Sequence, residues 1–303
     1  MDEDAVLKLK GESSMYVVAG VSGQTGRATA EAVLTAGLKL RVIVRTAARG
    51  DEWAARGAEV AVADLGNVPA LAAALDGAQA AYLLNPPAYG EADPFARAAA
   101  LADAVARAVE ASDLKRLVFL SSISAHLPGG NGMIHSNHLI EQRLKDISRP
   151  VAFLRPGYFM ENWLHVMEPV RAAGVLPAML TLDRPVPMVA VKDIGAMAAK
   201  MLTETWNGQR VVELAGPTNL SPEALARLLA VELGRPVNPV AVPHDQWAGI
   251  FAGSGMSPRT VEAFVAMFDA FNNGIIRFEG AQPRRGQVTP TEAAAALVAA
   301  EPH

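Results

Sequence analysis

The chain has 303 residues, 51% of them apolar, enough to bury one large α/β core or two smaller ones. A formal charge of −4 gives no basic footprint for nucleic acid, and the lack of cysteine excludes disulfides, thiolate metal sites and cysteine nucleophiles. No apolar run approaches the roughly 18 residues of a membrane helix, and the charged opening MDEDAVLKLKGESS lacks a signal peptide's apolar stretch, so residues 1–14 read as a flexible leader on a cytoplasmic protein.

The first predicted strand, MYVVAG (15–20), runs into GVSGQTG, and a helix is expected over 24–36. In that strand–turn–helix setting Gly20 permits a tight turn and Gly23 lets the backbone approach a pyrophosphate. Gly26 lets the helix pack near the strand. The spacing G-x-x-G-x-x-G is one residue off the usual dinucleotide fingerprint. Gly20, Ser22, Gly23, Gln24, Thr25 and Gly26 form the predicted phosphate cradle. The second strand, LRVIVR (40–45), ends at Arg45, near where an NAD-binding chain usually places an acid for the ribose hydroxyls. An acid repels a 2′-phosphate and an arginine neutralises one. Arg45, with Thr46 and Arg49 close by, therefore predicts NADPH (NADP) over NADH, the plainer alternative being a solvated basic turn.

The third strand, AEVAVAD (58–64), brings Asp64 and Leu65 to the expected place of an adenine contact. Asp64 serves equally well as the cap of a helix over 67–75. Strand four, AAYLLN (80–85), delivers Leu84 and Asn85 before a helix over 93–111. Strand five, RLVFLSS (116–122), ends in Ser121 and Ser122, which either touch the nicotinamide ribose or a substrate oxygen, or bond local backbone. The loop LPGGNGMIHSNH is suited to cover a site, and its His135 and His138 are either acids or helix-start residues ahead of a helix over 136–147. Strand six, VAFLRPG (151–157), ends at Pro156, and Tyr158 either stacks on substrate or joins the core. All these candidates come from strand ends because ligands of doubly wound sheets bind beyond the carboxyl ends of the strands.

After Gly157 the pattern changes to helical stretches near 159–173, 191–203, 221–234, 257–274 and 289–300. Strand-like RVVELAG (210–216) and VNPVAVP (237–243) interrupt them. The predicted architecture is an α/β, doubly wound parallel Rossmann sheet over 15–157. A smaller, mostly helical substrate lobe follows over 158–303, with segments returning to the sheet. Met160, Met167, Met179 and Met188 suit an adaptable pocket wall or simple core. The six histidines show no metal-ligand spacing.

With these pieces the chain resembles the NmrA-like family of atypical short-chain dehydrogenase/reductases. The resemblance rests on GVSGQTG, the arginine after strand two, VADLGN, RLVFLSS, FLRPGYFMENW (153–163) and VKDIGAMAAKML (191–202). VVELAGPTNLSPEALARLLAVELGRPV (211–237) and RRGQVTPTEAAAAL (284–297) extend it to nearly all of 15–300. It implies a dinucleotide-binding fold. It leaves two roles open, since members include quinone and dye reductases, plant phenylpropanoid reductases and a catalytically silent redox-sensing repressor.

Standard short-chain reductases donate a proton from a tyrosine with a lysine four residues on. Here no tyrosine has that lysine, and counting back from Glu141 the two positions hold Met133 and Asn137. That argues against ketone reduction and epimerisation, which need a strong relay. A quinone or a dye cation accepts hydride without simultaneous protonation, so proximity over the nicotinamide suffices. The expectation is an NADPH-dependent reductase of an electron-poor planar acceptor, the rival a non-catalytic NADP(H) sensor acting through a partner protein. A phenylpropanoid-type reductase would want a lysine near the nicotinamide, and only Lys115, at the wrong strand end, and Lys145 are near. A homo-oligomer stays open.

Overall fold

The computed structural model describes residues 14–301, so the predicted leader lies outside the described residues except for Ser14. The first half forms β1 (Met15–Ala19), β2 (Lys39–Val44), β3 (Glu59–Val62), β4 (Ala80–Leu84), β5 (Leu117–Leu120) and β6 (Val151–Pro156). Between them run α1 (Gln24–Thr35), α2 (Asp51–Ala54), α3 (Val68–Leu75), α4 (Pro94–Glu110) and α5 (His135–Leu144). The strands lie in the order β3-β2-β1-β4-β5-β6, every pair parallel. The order reverses between β1 and β4, and such a switch opens a crevice at the carboxyl ends of the strands.

The sequence forms this sheet because its strands can be buried on both faces. β4 and β6 are buried along their whole length, which accounts for runs such as AAYLL without polar alternation. One face is covered by α3, α4 and α5 through Leu71, Ala102, Val105 and Ile140. The other is covered by α1, by Trp53 of α2 and by α7 (Val191–Thr203), through Ala30, Val33, Ile194 and Ala198. α1 and α7 touch backbone to backbone: a Cβ on Gly195 would meet the Ala28 carbonyl carbon at 2.5 Å.

After Gly157 the chain forms β7 (Tyr158–Phe159), α6 (Met167–Ala173), β8 (Val175–Ala178) and β9 (Met188–Val189) ahead of α7. Then come β10 (Gln209–Ala215), α8 (Pro222–Leu233), β11 (Asn238–Ala241), α9 (His244–Gly253), α10 (Pro258–Asn272), β12 (Arg284–Arg285) and α11 (Pro290–Ala299). β10 and β12 extend the sheet beyond β6, making eight strands. Buried Asp193 fixes the last return by accepting the N–H groups of Gln287 (2.9 Å) and Val288 (3.0 Å). The lobe has its own core around Met160, Trp163, Leu176, Leu225, Leu229 and Phe271.

One expected element is corrected, and two elements were not expected. The helix over 159–173 is replaced by β7 paired with β9, a 3-10 turn over 160–166 and a short α6. The Pro187 carbonyl takes the Tyr158 N–H at 2.8 Å, which draws the chain into that pairing. β8 escapes the sequence pattern because Pro177 sits inside it; it pairs with β11 in a separate two-stranded ribbon. α9, with Gly249 and Gly253 diluting its helical signal, is buried only at Trp247 and Phe251.

Candidate functional site

At the end of β1 the three glycines play different parts. Gly20 adopts φ +73, and its carbonyl takes the Gly23 N–H at 2.9 Å, closing the turn. A Cβ on Gly26 would lie 2.3 Å from the Gly20 carbonyl, so close helix–strand packing requires glycine there. Gly23 is exposed and extended (φ −106, ψ 179), and a Cβ on it would meet nothing nearer than 3.4 Å. The fold does not need that glycine. Gly23 is also the N-cap of α1 and so offers no side chain to the helix, whereas Asn67, Asp93, Ser221, Ser257 and Thr289 cap theirs. The first N–H groups of α1, on Gln24, Thr25 and Gly26, therefore face an open anion position. Ser22 and Gln24 are exposed beside them; the Thr25 side chain is buried, leaving its backbone for a ligand.

Arg45 follows β2 directly and is exposed, as are Thr46 and Arg49. Among the described residues neither arginine has an acidic partner. Arg27 is engaged elsewhere, bonded to Glu52 (2.5 Å) and lying over Trp53 at 5.4 Å.

Past β3, Asp64 accepts the Gly66 N–H at 2.8 Å, while Asn67 caps α3 through Ala70 (3.1 Å). Of the two readings of Asp64, the helix cap is therefore corrected: the turn at Gly66 moves the cap to Asn67. Leu65 turns its side chain into the core, so only its backbone is left for a ligand. Leu84 packs under the phosphate loop, with its Cδ2 2.5 Å from where a Gly20 Cβ would stand. Asn85 is half-buried and its Oδ1 accepts from Arg97 at 3.2 Å. Arg97, which the sequence reading passed over, also holds the Pro86 carbonyl (3.2 Å).

The ends of β5 and β6 differ from expectation. The Ser121 hydroxyl donates to Glu141 at 2.5 Å, and Arg155 grips the same carboxylate through Nε (2.8 Å) and Nη2 (2.6 Å). The remaining Arg155 nitrogen reaches Glu279 at 2.6 Å. Ser121 is thus committed to an internal ion pair and not to a ligand, because Glu141 and Arg155 are fully buried charges that need every partner available. A charged residue in the otherwise apolar VAFLRP was the signal for this pair. Ser122 is half-buried, and its hydroxyl has no protein partner among the described residues. The Pro156 carbonyl accepts the Ile123 N–H (2.9 Å), tying the two strand ends together.

The glycine-rich loop is docked and does not stand free as a cover. Gly132 packs so closely on α10 that a Cβ would lie 2.3 Å from the Met267 nitrogen, and buried Asn131 donates to the Ser124 carbonyl at 3.1 Å. His138 meets the Ala125 carbonyl through Nδ1 at 2.9 Å, so with this tautomer Nδ1 is the donor. His135 stacks on His138 (centroids 5.6 Å), and burial, then His138, holds its pKa below the ordinary histidine value. A groove of ≈ 350 Å³ opens between Phe95, His135, the 128–132 loop and α10. Met133 lies on the turn before α5 and Asn137 in its first turn. Tyr158 packs edge-on against Phe271 at 5.8 Å, and burial pushes its phenol well above the usual range, so it belongs with the lobe core. The methionine wall is also corrected: Met160, Met167 and Met188 are core, Met179 packs on the aromatic cluster of α9 and α10, and the void beside Met160 and Met188 is only ≈ 10 Å³.

A glycine free for ligand approach, an uncapped helix and a lone arginine after β2 thus stand at one strand-order switch. Residues 12–289 match the NmrA-like family. The chain belongs to that family. It is 31% identical over 227 residues to a (4-alkanoyl-5-oxo-2,5-dihydrofuran-3-yl)methyl phosphate reductase of Streptomyces griseus, spanning 74% of this chain and 75% of that one. It is 27% identical over 256 residues to an NAD(P)H azoreductase of Xenophilus azovorans, 84% of this chain and 86% of that one. The fold superposes on an NADPH-dependent quinone oxidoreductase of Escherichia coli, solved with NADPH, at TM-score 0.78 and 22% identity over 94% and 99% of the two chains. Among the described residues no helix is long and apolar enough to cross a membrane, and no three acidic or histidine side chains gather as metal ligands.

Proposed function

We propose that this protein is an NADPH-dependent reductase of electron-poor, planar small molecules such as quinones. The observation that carries the reading is Gly23: exposed and extended, with no clash for a Cβ built on it, it is a glycine the fold does not require. Its absent side chain leaves room for a pyrophosphate to approach the N–H groups of Gln24, Thr25 and Gly26. Arg45, with no acidic partner among the described residues, would take a 2′-phosphate. These residues fit the cofactor that the azoreductase and the quinone oxidoreductase are named for.

When bound, NADPH supplies the hydride. This chain's residues would hold and orient the dinucleotide along β1, β2 and β4, with Ser122 and Asn85 toward its nicotinamide half. At the two positions where standard short-chain reductases keep tyrosine and lysine stand Met133 and Asn137, which hold no titrating proton. Neutral His135 is a poor acid near pH 7, and His138 spends Nδ1 on Ala125. An acceptor that needs no concerted protonation suits this inventory.

The test is NADPH oxidation followed by absorbance against a panel of quinones, azo dyes and aldehydes, with calorimetric titration of NADPH and NADH. Quinone and dye turnover without aldehyde turnover is expected. NADPH binding without oxidation by any acceptor would replace this reading with that of a redox sensor.

A further inference from the structure

We infer that the groove between the 128–132 loop and α10 is a second small-molecule site, and that it takes a flat aromatic carboxylate carrying a ring hydroxyl. The inference does not rest on the reductase reading, because the groove stands apart from the hydride. His135 lines it, whereas Met133 and Asn137 do not. Two residues along a helix turn a side chain by about 200°. The groove therefore lies on the side of α5 turned away from the positions where standard short-chain reductases keep tyrosine and lysine.

Each part of the ligand follows from residues that line the groove. Phe95 and His135 stand edge-on with ring centroids 5.4 Å apart, and α10 adds the small side chains of Ala263 and Ala266. Rings beside alanines leave room for a flat ligand, and ≈ 350 Å³ is at the small end for an organic molecule, about one or two fused rings. The carboxylate follows from Arg259. Its guanidinium lies over the Phe95 ring at 5.7 Å and forms no ion pair among the described residues. Asp93, which feels its charge, caps α4 by accepting the N–H groups of Phe95 (2.9 Å) and Ala96 (3.0 Å). The forked donors of Arg259 are thus open to a carboxylate. Glu262, one turn further along α10, lines the same groove and also forms no ion pair among the described residues, so a second negative charge on the ligand would be repelled. The hydroxyl follows from Asn131, which is fully buried. Its Nδ2 donates to the carbonyls of Ser124 (3.1 Å) and Leu127 (3.3 Å), and this fixes Oδ1 as the acceptor. Oδ1 is left without a donor among the described residues, a deficit that a ligand hydroxyl removes.

The test is calorimetric titration, under saturating NADP⁺, with 6-hydroxy-2-naphthoate, 2-naphthoate and uncharged 2-naphthol, two fused rings to match the groove. The hydroxynaphthoate should bind tightest. Arg259→Gln should weaken both carboxylates about five- to tenfold, as fits a charge-assisted contact at an exposed side chain, and leave the naphthol as in wild type. Glu262→Gln should act in the opposite sense and tighten both carboxylates about twofold. Ala266→Trp, at an exposed position, should fill the groove and abolish binding of all three at an unchanged Tm. Truncating Asn131 would release the loop that its amide holds, so there the ligand is varied and not the residue. Carboxylate binding untouched by Arg259→Gln would overturn the inference, as would an equal loss for the naphthol, no advantage from the hydroxyl, or full binding in folded Ala266→Trp. None of these readings needs turnover, so they stand or fall apart from the reductase reading.

Discussion

The two ends of the crevice treat their polar groups in opposite ways. At β1 and β2 they are left open: three helix N–H groups, an exposed glycine N-cap and Arg45. At β5 and β6 most are consumed inside the protein, Ser121, Glu141, Arg155 and Glu279 in one chain of bonds. Ser124, at φ +62, bonds both the N–H and the carbonyl of Arg277 at 2.8 Å. A site with many free donors at one end and few at the other recognises its anionic ligand by charge and its second ligand by shape. The proposed reduction of planar acceptors would require such a division.

The glycines give the sharpest way to break this contrast. Gly23→Val should fold, with Tm near wild type, and lose dinucleotide binding by more than about a hundredfold, because its branch occupies the anion position. Gly26→Val should not fold to a comparable Tm, since its Cβ would stand 2.3 Å from backbone. Circular dichroism and calorimetry on the pair separate the roles. Retained binding in folded Gly23→Val would mean that the loop glycines serve only the turn.

At the other end the expected loss is of stability. Glu141→Ala leaves Arg155 charged and buried without its main partner, a loss of about 3–5 kcal/mol. Glu279, 58% exposed, should cost no more than about 1 kcal/mol when changed to Gln. Denaturant unfolding of both variants checks the ranking. Equal losses would mean that the ion pair extends its influence to the surface.

The open end was legible in the sequence and the closed end was not, for a physical reason. Gly20 and Gly26 are fixed by local backbone geometry, and Gly23 and Arg45 stand exposed at the ends of β1 and β2, which residue type and spacing carry directly. The six strands and the helix over 191–203 were legible as well, because burial on both sheet faces leaves a continuous apolar run and burial along one helix stripe leaves a period. Ser121 reads as a hydroxyl for a ligand or for local backbone until Glu141, 20 residues on, and Arg155 fold against it. The edge-on ring pair of Tyr89 and Phe264, centroids 5.2 Å apart, joins residues 175 positions apart, a distance no local pattern spans.

Returning to the open end, Arg45→Ala should remove the preference for NADPH over NADH. A charge-assisted contact is worth about 1.5–3 kcal/mol, so the change in the affinity ratio should be tenfold or more. The wild-type preference should also fall as salt rises, because Arg45 is exposed. Equal affinities in wild type, or a preference untouched by the substitution, would mean that Arg45 is only part of a solvated turn.

The smallest effect concerns pH at the boundary between the two ends. His135 has a folded pKa below its ordinary value of about 6.5, through burial first and His138 second. Well above about pH 6.5 it is neutral in both folded and unfolded chains, and the folded chain keeps this contribution in full. As pH falls below that value the unfolded chain takes up the proton first, so this contribution is lost through the lower folded pKa. Glu279 works in the same direction at lower pH, since Arg155 holds its carboxyl below the usual range and that stability disappears as acid protonates it. Quinone reduction should thus be nearly flat between about pH 6.5 and 8. His135→Gln should keep most of the activity while flattening the slope of Tm against pH just below that range. A rate that falls steeply between those limits, and is lost in His135→Gln, would make this histidine the proton donor and give the closed end a chemical role after all.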